Sequence, residues 1–233
     1  MCYDKFLEML NLTKGLKNSL YTALKYNFLY HSNKIEGSTF TTDNLTMLLD
    51  RNIVEGKHSL DDVQETVNSA YTFDIIIDSL GEKITHSFLK KLHFSLMINT
   101  TSYTRGYAGV YKKIPNYITG TNIEVAQPFE VEPKIEELLE EYYNLDKVTL
   151  KDIVWFHRKF ELIHPFQDGN GRIGRFLMLK QMLENKLPVK IISWDSEDSY
   201  REALSKCSKD NYEPLYNYIN SLPDFVEKSR RLY

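Results

Sequence analysis

Apolar residues recur at three- and four-residue intervals through most of the chain, the period of helices with one buried face. Leu16, Leu20, Ala23, Leu24 and Phe28 share one such stripe, which Gly37 brings to a stop. Thr41 and Thr42 precede DNLTMLLDRN and predict a short capped helix. Val63, Val67, Ala70, Tyr71 and Ile75 mark a helix over 60–80, ending near Gly81, and Thr85 opens another that carries Phe88, Leu89, Leu92, Leu96 and Met97. Further helices are predicted over 133–144 and 149–163, then through IGRFLMLKQMLEN after Arg172, and around 200–206 and 212–221. PVKIISW reads as strand-like. The stretch RGYAGVYKKIPNYITGTNIEVAQPFE, 105–130, is rich in Gly, Tyr, Val and Ile and broken by Pro115 and Gly120, which predicts a short β-hairpin between helices. The expectation is a mainly α protein with one small β element, without an internal repeat or a linker long enough to mark a second domain.

Composition narrows the class. The 233 residues suffice for one sizeable core, and 42% hydrophobic with 26% charged residues is ordinary for a soluble globular chain. A net charge of −3 argues against a dedicated nucleic-acid binder and leaves a local anion pocket open. Cys2 and Cys207 make neither a disulfide framework nor a zinc site. No apolar run approaches the roughly 20 residues that span a bilayer, and MCYDKFLEMLNL lacks the layout of a secretory signal. The expected setting is cytoplasmic.

Candidate chemistry concentrates in HPFQDGNGRIGR, residues 164–175. Pro165 disfavours helical geometry at His164, so the chain leaves its helix there. Gly169, Asn170 and Gly171 form a loop feeding the next helix, and consecutive N–H groups at such a helix start attract phosphate. Arg172 and Arg175 lie three apart on one face, and two guanidinium forks beside that nest suit a di- or triphosphate. Asp168 would repel phosphate unless it holds Mg²⁺, which uses one or two carboxylates and completes its shell with phosphate oxygens and water. His164, at the mouth of the loop, is suited to accept a proton near neutral pH. Base, metal, nest and clamp together describe displacement at phosphorus.

A competing reading is nominally met. Gly169, Gly171 and Gly174 spell G-x-G-x-x-G, with Asp195 about twenty residues on. The segment before the glycines is helical rather than strand-like, and too little chain follows to complete a doubly wound sheet. A Walker loop is absent, since no Gly-Lys-Ser/Thr follows.

HPFQDGNGRIGR resembles the signature of Fic-domain proteins, HPFx(D/E)GNGRxxR, at every defining position. The likeness extends from about Ser32 to the C-terminal helices and includes AGVY and SYREAL. It implies a Fic fold: a helical bundle with a short β-hairpin flap at about 110–125 and a catalytic loop at 164–175, within a core of 41–233. It implies transfer of AMP from ATP to a Tyr, Thr or Ser hydroxyl of a protein, the chain itself included. By the resemblance, His164 is the base, and Asp168 holds Mg²⁺ (or Mn²⁺ in its place) against the α- and β-phosphates. Gly169, Asn170 and Gly171 cradle phosphate, Arg172 neutralises developing charge, and Arg175 holds the γ-phosphate. Phe166 anchors the loop, Tyr200 and Leu204 line the adenine pocket, and Ile118, Thr119 and Gly120 form the flap edge that docks the target. The Doc-like branch, which phosphorylates, carries lysine at the position of Asp168. Lys112 stands where relatives often carry arginine.

HSNKIEG, 31–37, places Ser32 and Glu36 four apart on one helical face, followed by Gly37. The pattern [ST]-x-x-x-E-[GN] resembles the inhibitory helix of the same family, here within an N-terminal helical region of 1–40. The resemblance implies that Glu36 competes with the γ-phosphate for Arg175. A coupling of roughly 1–3 kcal/mol would cut productive binding about 5- to 150-fold. Three classes stay open: an autoinhibited adenylyltransferase that could also reverse its modification, the same fold with another nucleotide donor, and a non-catalytic helical regulator. Membrane and nucleic-acid partners are not expected. A homo-oligomer and the identity of the protein target are left open.

Overall fold

Side-chain caps set the helix starts. Ser19, Thr41, Ser59, Thr85 and Thr149 each accept a hydrogen bond from a backbone N–H three residues on, satisfying a donor the helix itself leaves free. The structure, a computed structural model, describes residues 3–118, 124–208 and 211–229. In it the capped segments become α2 (Leu20–Ile35), α3 (Thr42–Arg51), α4 (Leu60–Asp78), α5 (His86–Met97) and α8 (Leu150–Ile163). They join α1 (Tyr3–Leu12), α6 (Thr101–Thr104), α7 (Val131–Tyr143), α9 (Asn170–Glu184), α10 (Glu197–Lys206), α11 (Glu213–Ser221) and α12 (Phe225–Lys228). The mainly α expectation holds, and no helix is long and apolar enough to cross a membrane among the described residues.

The differences from the sequence pattern have local causes. Helix α1 buries only Phe6 and Leu10, too short a stripe to read from spacing. The next helix starts at Leu20 rather than near Leu16, because Ser19 caps it, and Leu16 is exposed. The expected β-hairpin over 105–130 is not a hairpin among the described residues. The Lys112 N–H donates to the Pro165 carbonyl (2.8 Å) and the Ala126 N–H to the Leu162 carbonyl (3.0 Å). These donors, one on each arm, serve the end of α8 and the loop after it, whose carbonyls lack helical partners. PVKIISW is likewise irregular, with one antiparallel bridge between Lys190 and Asp224.

Packing centres on α8 and α9, which lie against each other. Helix α9 is buried on nearly every side, Lys180 and Gln181 included, as expected of a helix in the middle of a core. One apolar cluster gathers Phe28, Phe73, Leu92, Ile135, Phe160, Phe166 and Phe176. The other gathers Ile153, Val154, Met178, Met182, Leu215 and Ile219. The connection from α8 to α9 is therefore held at both its ends by rigid, buried elements. Helix α2 packs on α4 and α9, which brings its C-terminal end to that connection.

Phe166 is fully buried within the connection. Replacing it with alanine is expected to lower the unfolding free energy by about 3–5 kcal/mol. Urea denaturation should show a lower midpoint with an unchanged slope.

Candidate active site

The loop from His164 to Gly169 owes its shape to side chains that bond its backbone. The Asn170 amide closes it, accepting from the Phe166 N–H and donating to the Phe166 carbonyl, both at 2.8 Å. Asn116 donates to the same carbonyl at 2.8 Å. His93 of α5 stacks on the Phe166 ring, centroids 3.9 Å apart. The Gly109 N–H donates to His93 Nδ1 (2.9 Å), so the proton sits on Nε2, which donates to the Asp168 carbonyl (3.0 Å). Gly169 has φ +75° and begins α9, and a Cβ there would stand 2.2 Å from Met97 Cε. The positive φ is what favours glycine here, since the Met97 methyl could move aside.

His164 ends α8 in the left-handed region at φ 48°, an uncommon state for a residue with a side chain. Burial, helped by the positive charge of Lys112, pushes its imidazole down to about 4. The ring is neutral near pH 7 and can accept a proton. Nδ1 makes no hydrogen bond, and Glu161 Oε2 stands 3.9 Å away. Lys112 is itself buried; its ammonium donates to Asn116 Oδ1 at 2.7 Å, and burial lowers its pKa to about 8. It braces the loop, reaching the Ile163 carbonyl at 3.4 Å as well.

Arg175 is 3% exposed and its guanidinium is occupied by the end of α2. Nε donates to Ser32 Oγ (3.0 Å), and Nη2 to the Ser32 carbonyl (2.9 Å) and Glu36 Oε1 (2.6 Å). Two backbone bonds fix Glu36 at this point: Gly37 N–H to the Lys34 carbonyl and Ser38 N–H to the Asn33 carbonyl, with Gly37 at φ +89°. This is the glycine-terminated helix end in which two otherwise free carbonyls are satisfied. Burial disfavours the charged Glu36 carboxylate, but Arg175 and Arg172 outweigh it and hold its pKa below the ordinary value. A Cβ on Gly171 would stand 2.5 Å from Glu36 Oε1, so this glycine admits the carboxylate to the loop. Arg172, also buried, donates Nη1 to Glu65 of α4.

These groups surround a cavity of about 230 Å³ lined by His164, Asp168, the Gly169–Gly171 backbone and Arg175. Glu36, Ile118, Tyr200 and Leu204 complete the walls. Of the residues singled out by sequence, Arg172 instead faces a neighbouring cavity of about 180 Å³, with Glu65, Asp62, Gly37 and the other side of Glu36. Ser32 lies buried beneath Arg175. Thr119 and Gly120 fall outside the described residues. The site also contains His93, Glu65 and Glu161, which no motif announces. Their only sequence signal is a polar residue on a stripe otherwise apolar.

The donor set suits Mg²⁺ that arrives with a phosphate ligand. No cluster of three or more His, Cys, Asp or Glu forms a metal cage among the described residues. Asp168 is a single carboxylate at the cavity, with Oδ2 engaged only by the Ser102 hydroxyl at 3.3 Å. One carboxylate plus phosphate oxygens and water is an ordinary Mg²⁺ shell.

Residues 83–182, which hold this loop, match the Fic/DOC family. Among solved structures, a Fic domain containing signaling protein from Bacteroides thetaiotaomicron superposes with TM-score 0.79 at 24% identity, covering 94% of this chain and 91% of that one. Among curated proteins, the protein adenylyltransferase Fic of Drosophila willistoni is 27% identical over 212 residues, which is 89% of this chain and 41% of that protein. The protein adenylyltransferase Fic of Nematostella vectensis is 25% identical over 211 residues, 83% of this chain and 46% of that protein. The chain thus spans less than half the length of these relatives.

Glu161 generates a prediction independent of function. It is buried, its Oε1 has no partner, and burial raises its pKa from 4.5 to about 7 despite the opposing pull of Arg175. A raised folded pKa means that stability is lost as pH rises from the unfolded value through the folded one. Glu161→Gln is therefore expected to be more stable than the natural chain at pH 8, by about 3 kcal/mol. That difference should close as pH falls from about 7 towards 4.5. Urea titrations across this range check it; an equal gap at both ends would reject the charge as its cause.

Proposed function

We propose that the chain is a protein adenylyltransferase, moving AMP from ATP to a hydroxyl of a protein, itself included, and that Glu36 restrains it. The observation that carries this reading is the convergence of a neutral imidazole, a carboxylate, a glycine-lined helix start and a buried guanidinium on one cavity. The names of its relatives support the same reaction class.

In this reading the triphosphate lies along the Gly169–Gly171 N–H groups, which need no reorganisation to receive negative charge. Arg175 takes the γ-phosphate and so orients the α-phosphate, while Arg172, from the adjoining cavity, lends its positive charge at longer range, as it does to Glu36. Asp168 would hold Mg²⁺, which supplies further charge neutralisation between the phosphates when bound. Tyr200 and Leu204 supply apolar surface to the base. The incoming hydroxyl gives its proton to His164 Nε2 as its oxygen bonds the α-phosphorus. The bond from that phosphorus to the bridging oxygen then breaks, and pyrophosphate leaves. A target segment docks beside Ile118, at the mouth of the cavity.

The restraint is a competition for one guanidinium. Glu36 occupies the Arg175 donors that a γ-phosphate requires, and a second negative charge cannot share them without repulsion. At about 230 Å³ the cavity lies below the roughly 300–1,000 Å³ of common ligand pockets. Glu36 is part of the wall that narrows it.

Glu36→Gly is expected to raise self-labelling from α-labelled ATP with Mg²⁺ by about 5- to 150-fold. γ-Labelled ATP should leave no label on the protein. His164→Ala in that background is expected to abolish transfer while ATP binding persists. Unchanged labelling in Glu36→Gly would reject the restraint, and label retained from the γ-position would indicate phosphoryl transfer instead.

A further inference from the structure

Glu161 has no part in the reaction as drawn, yet it stands at its centre. Its carboxyl projects from α8 into the wall of the cavity that His164 and Arg175 also line. A carboxyl buried without a hydrogen-bond partner is unfavourable, and such groups gather where chemistry uses them. The groups that face it come from several elements: His157 and Arg158 on α8, Arg175 beside Gly174 on α9, Tyr200 on α10, and Glu36 at the end of α2. His164 lies beyond the helix end, with Nδ1 at 3.9 Å from Oε2, and Lys112 acts on that same imidazole.

His164 is the one of these with both a vacancy and access to the cavity. Arg175 already donates to Ser32 and Glu36. His157 has its Nε2 2.8 Å from the Tyr200 hydroxyl and lies outside the cavity lining. His164 Nδ1 makes no hydrogen bond of normal geometry; the Glu161 carboxylate, one helical turn back in the same chain, stands 3.9 Å away, and the Glu161 backbone carbonyl, which Glu161→Gln retains, also acts on the ring.

We propose that Glu161 is a positioning residue for His164: its carboxylate accepts the Nδ1 proton, leaving Nε2 bare towards the cavity, and offsets the charge the ring gains when it takes the hydroxyl proton. The inference rests on the adenylyl-transfer reading. The proton leaving the attacking oxygen ends on Nε2, the new bond is oxygen to α-phosphorus, and the broken bond releases pyrophosphate. Glu161 neither gains nor loses a proton in the step.

Glu161 can act this way only when ionised. Burial holds its carboxyl up near 7, Arg175 and Arg158 lower it, and Glu36 raises it. His164 itself titrates near 4 in the folded chain, so an acid limb above the carboxylate range belongs to Glu161 rather than to the imidazole. In Glu36→Gly protein, which lacks one repelling charge, that limb should fall between 4.5 and about 7.

The test measures kcat and the nucleotide KM for self-labelling against pH in Glu36→Gly, with and without Glu161→Gln, alongside the ring-nitrogen NMR shifts of His164 at pH 8, where the carboxyl is ionised and the ring neutral. Expected with Glu161→Gln are a roughly tenfold or greater fall in kcat at pH 8, a nucleotide KM within about twofold, loss of the acid limb, and a smaller share of the Nδ1-protonated tautomer. An unchanged pH profile and an unchanged tautomer would overturn the proposal, as would a rate loss explained wholly by weaker nucleotide binding. If Glu36→Gly does not label at all, the adenylyl-transfer reading fails. The tautomer then still decides whether the carboxylate governs this ring.

Discussion

Arg175 is the constraint on which the rest of the site depends. A guanidinium at 3% exposure must have its donors matched, because removing it from water unpaired is very costly. It sits one turn into a helix buried on nearly all sides, so it has no route to solvent of its own. Its partners come from the end of α2, namely one hydroxyl, one carbonyl and one carboxylate. The position of α2 against α9 and the electrostatics of the cavity thus have one common cause. An anion that seeks this guanidinium meets a carboxylate already seated on it.

The loop shows a second constraint, rigidity supplied from a distance. His93, Asn116, Lys112 and Asn170 all bond backbone atoms between Ile163 and Asp168, and none of those bonds is part of regular secondary structure. A neutral His93, which burial pushes down to about 4, can hold a single tautomer between Gly109 and Asp168. With the frame so held, His164 can keep its left-handed conformation at the helix end.

Legibility in the sequence followed locality. The helix starts were readable because a cap is one residue that acts on a donor three positions away, as at Thr85 and Thr149. The loop was readable because its glycines, carboxylate and arginines are neighbours in the chain. Glu65 on Arg172 and His93 on Asp168 were not, since each pairs residues 75 or more positions apart that only helix packing brings together. The region around 105–130 misled for a different reason. Its β-prone composition was real, but the unsatisfied carbonyls at the end of α8 competed for the N–H groups of Lys112 and Ala126 and took them.

The glycine-terminated end of α2 carries one last consequence. Glu36 belongs to the final turn of a helix, and terminal turns open far more readily than the domain unfolds. Fraying of that turn, with loss of the two bonds onto Asn33 and Lys34, would carry the carboxylate off while uncovering little of the core beyond Ile35. The threshold for letting go is then a property of a few residues and is decoupled from the melting of the whole. Heat, or a surface that grips the segment after Gly37, would act on it long before global collapse.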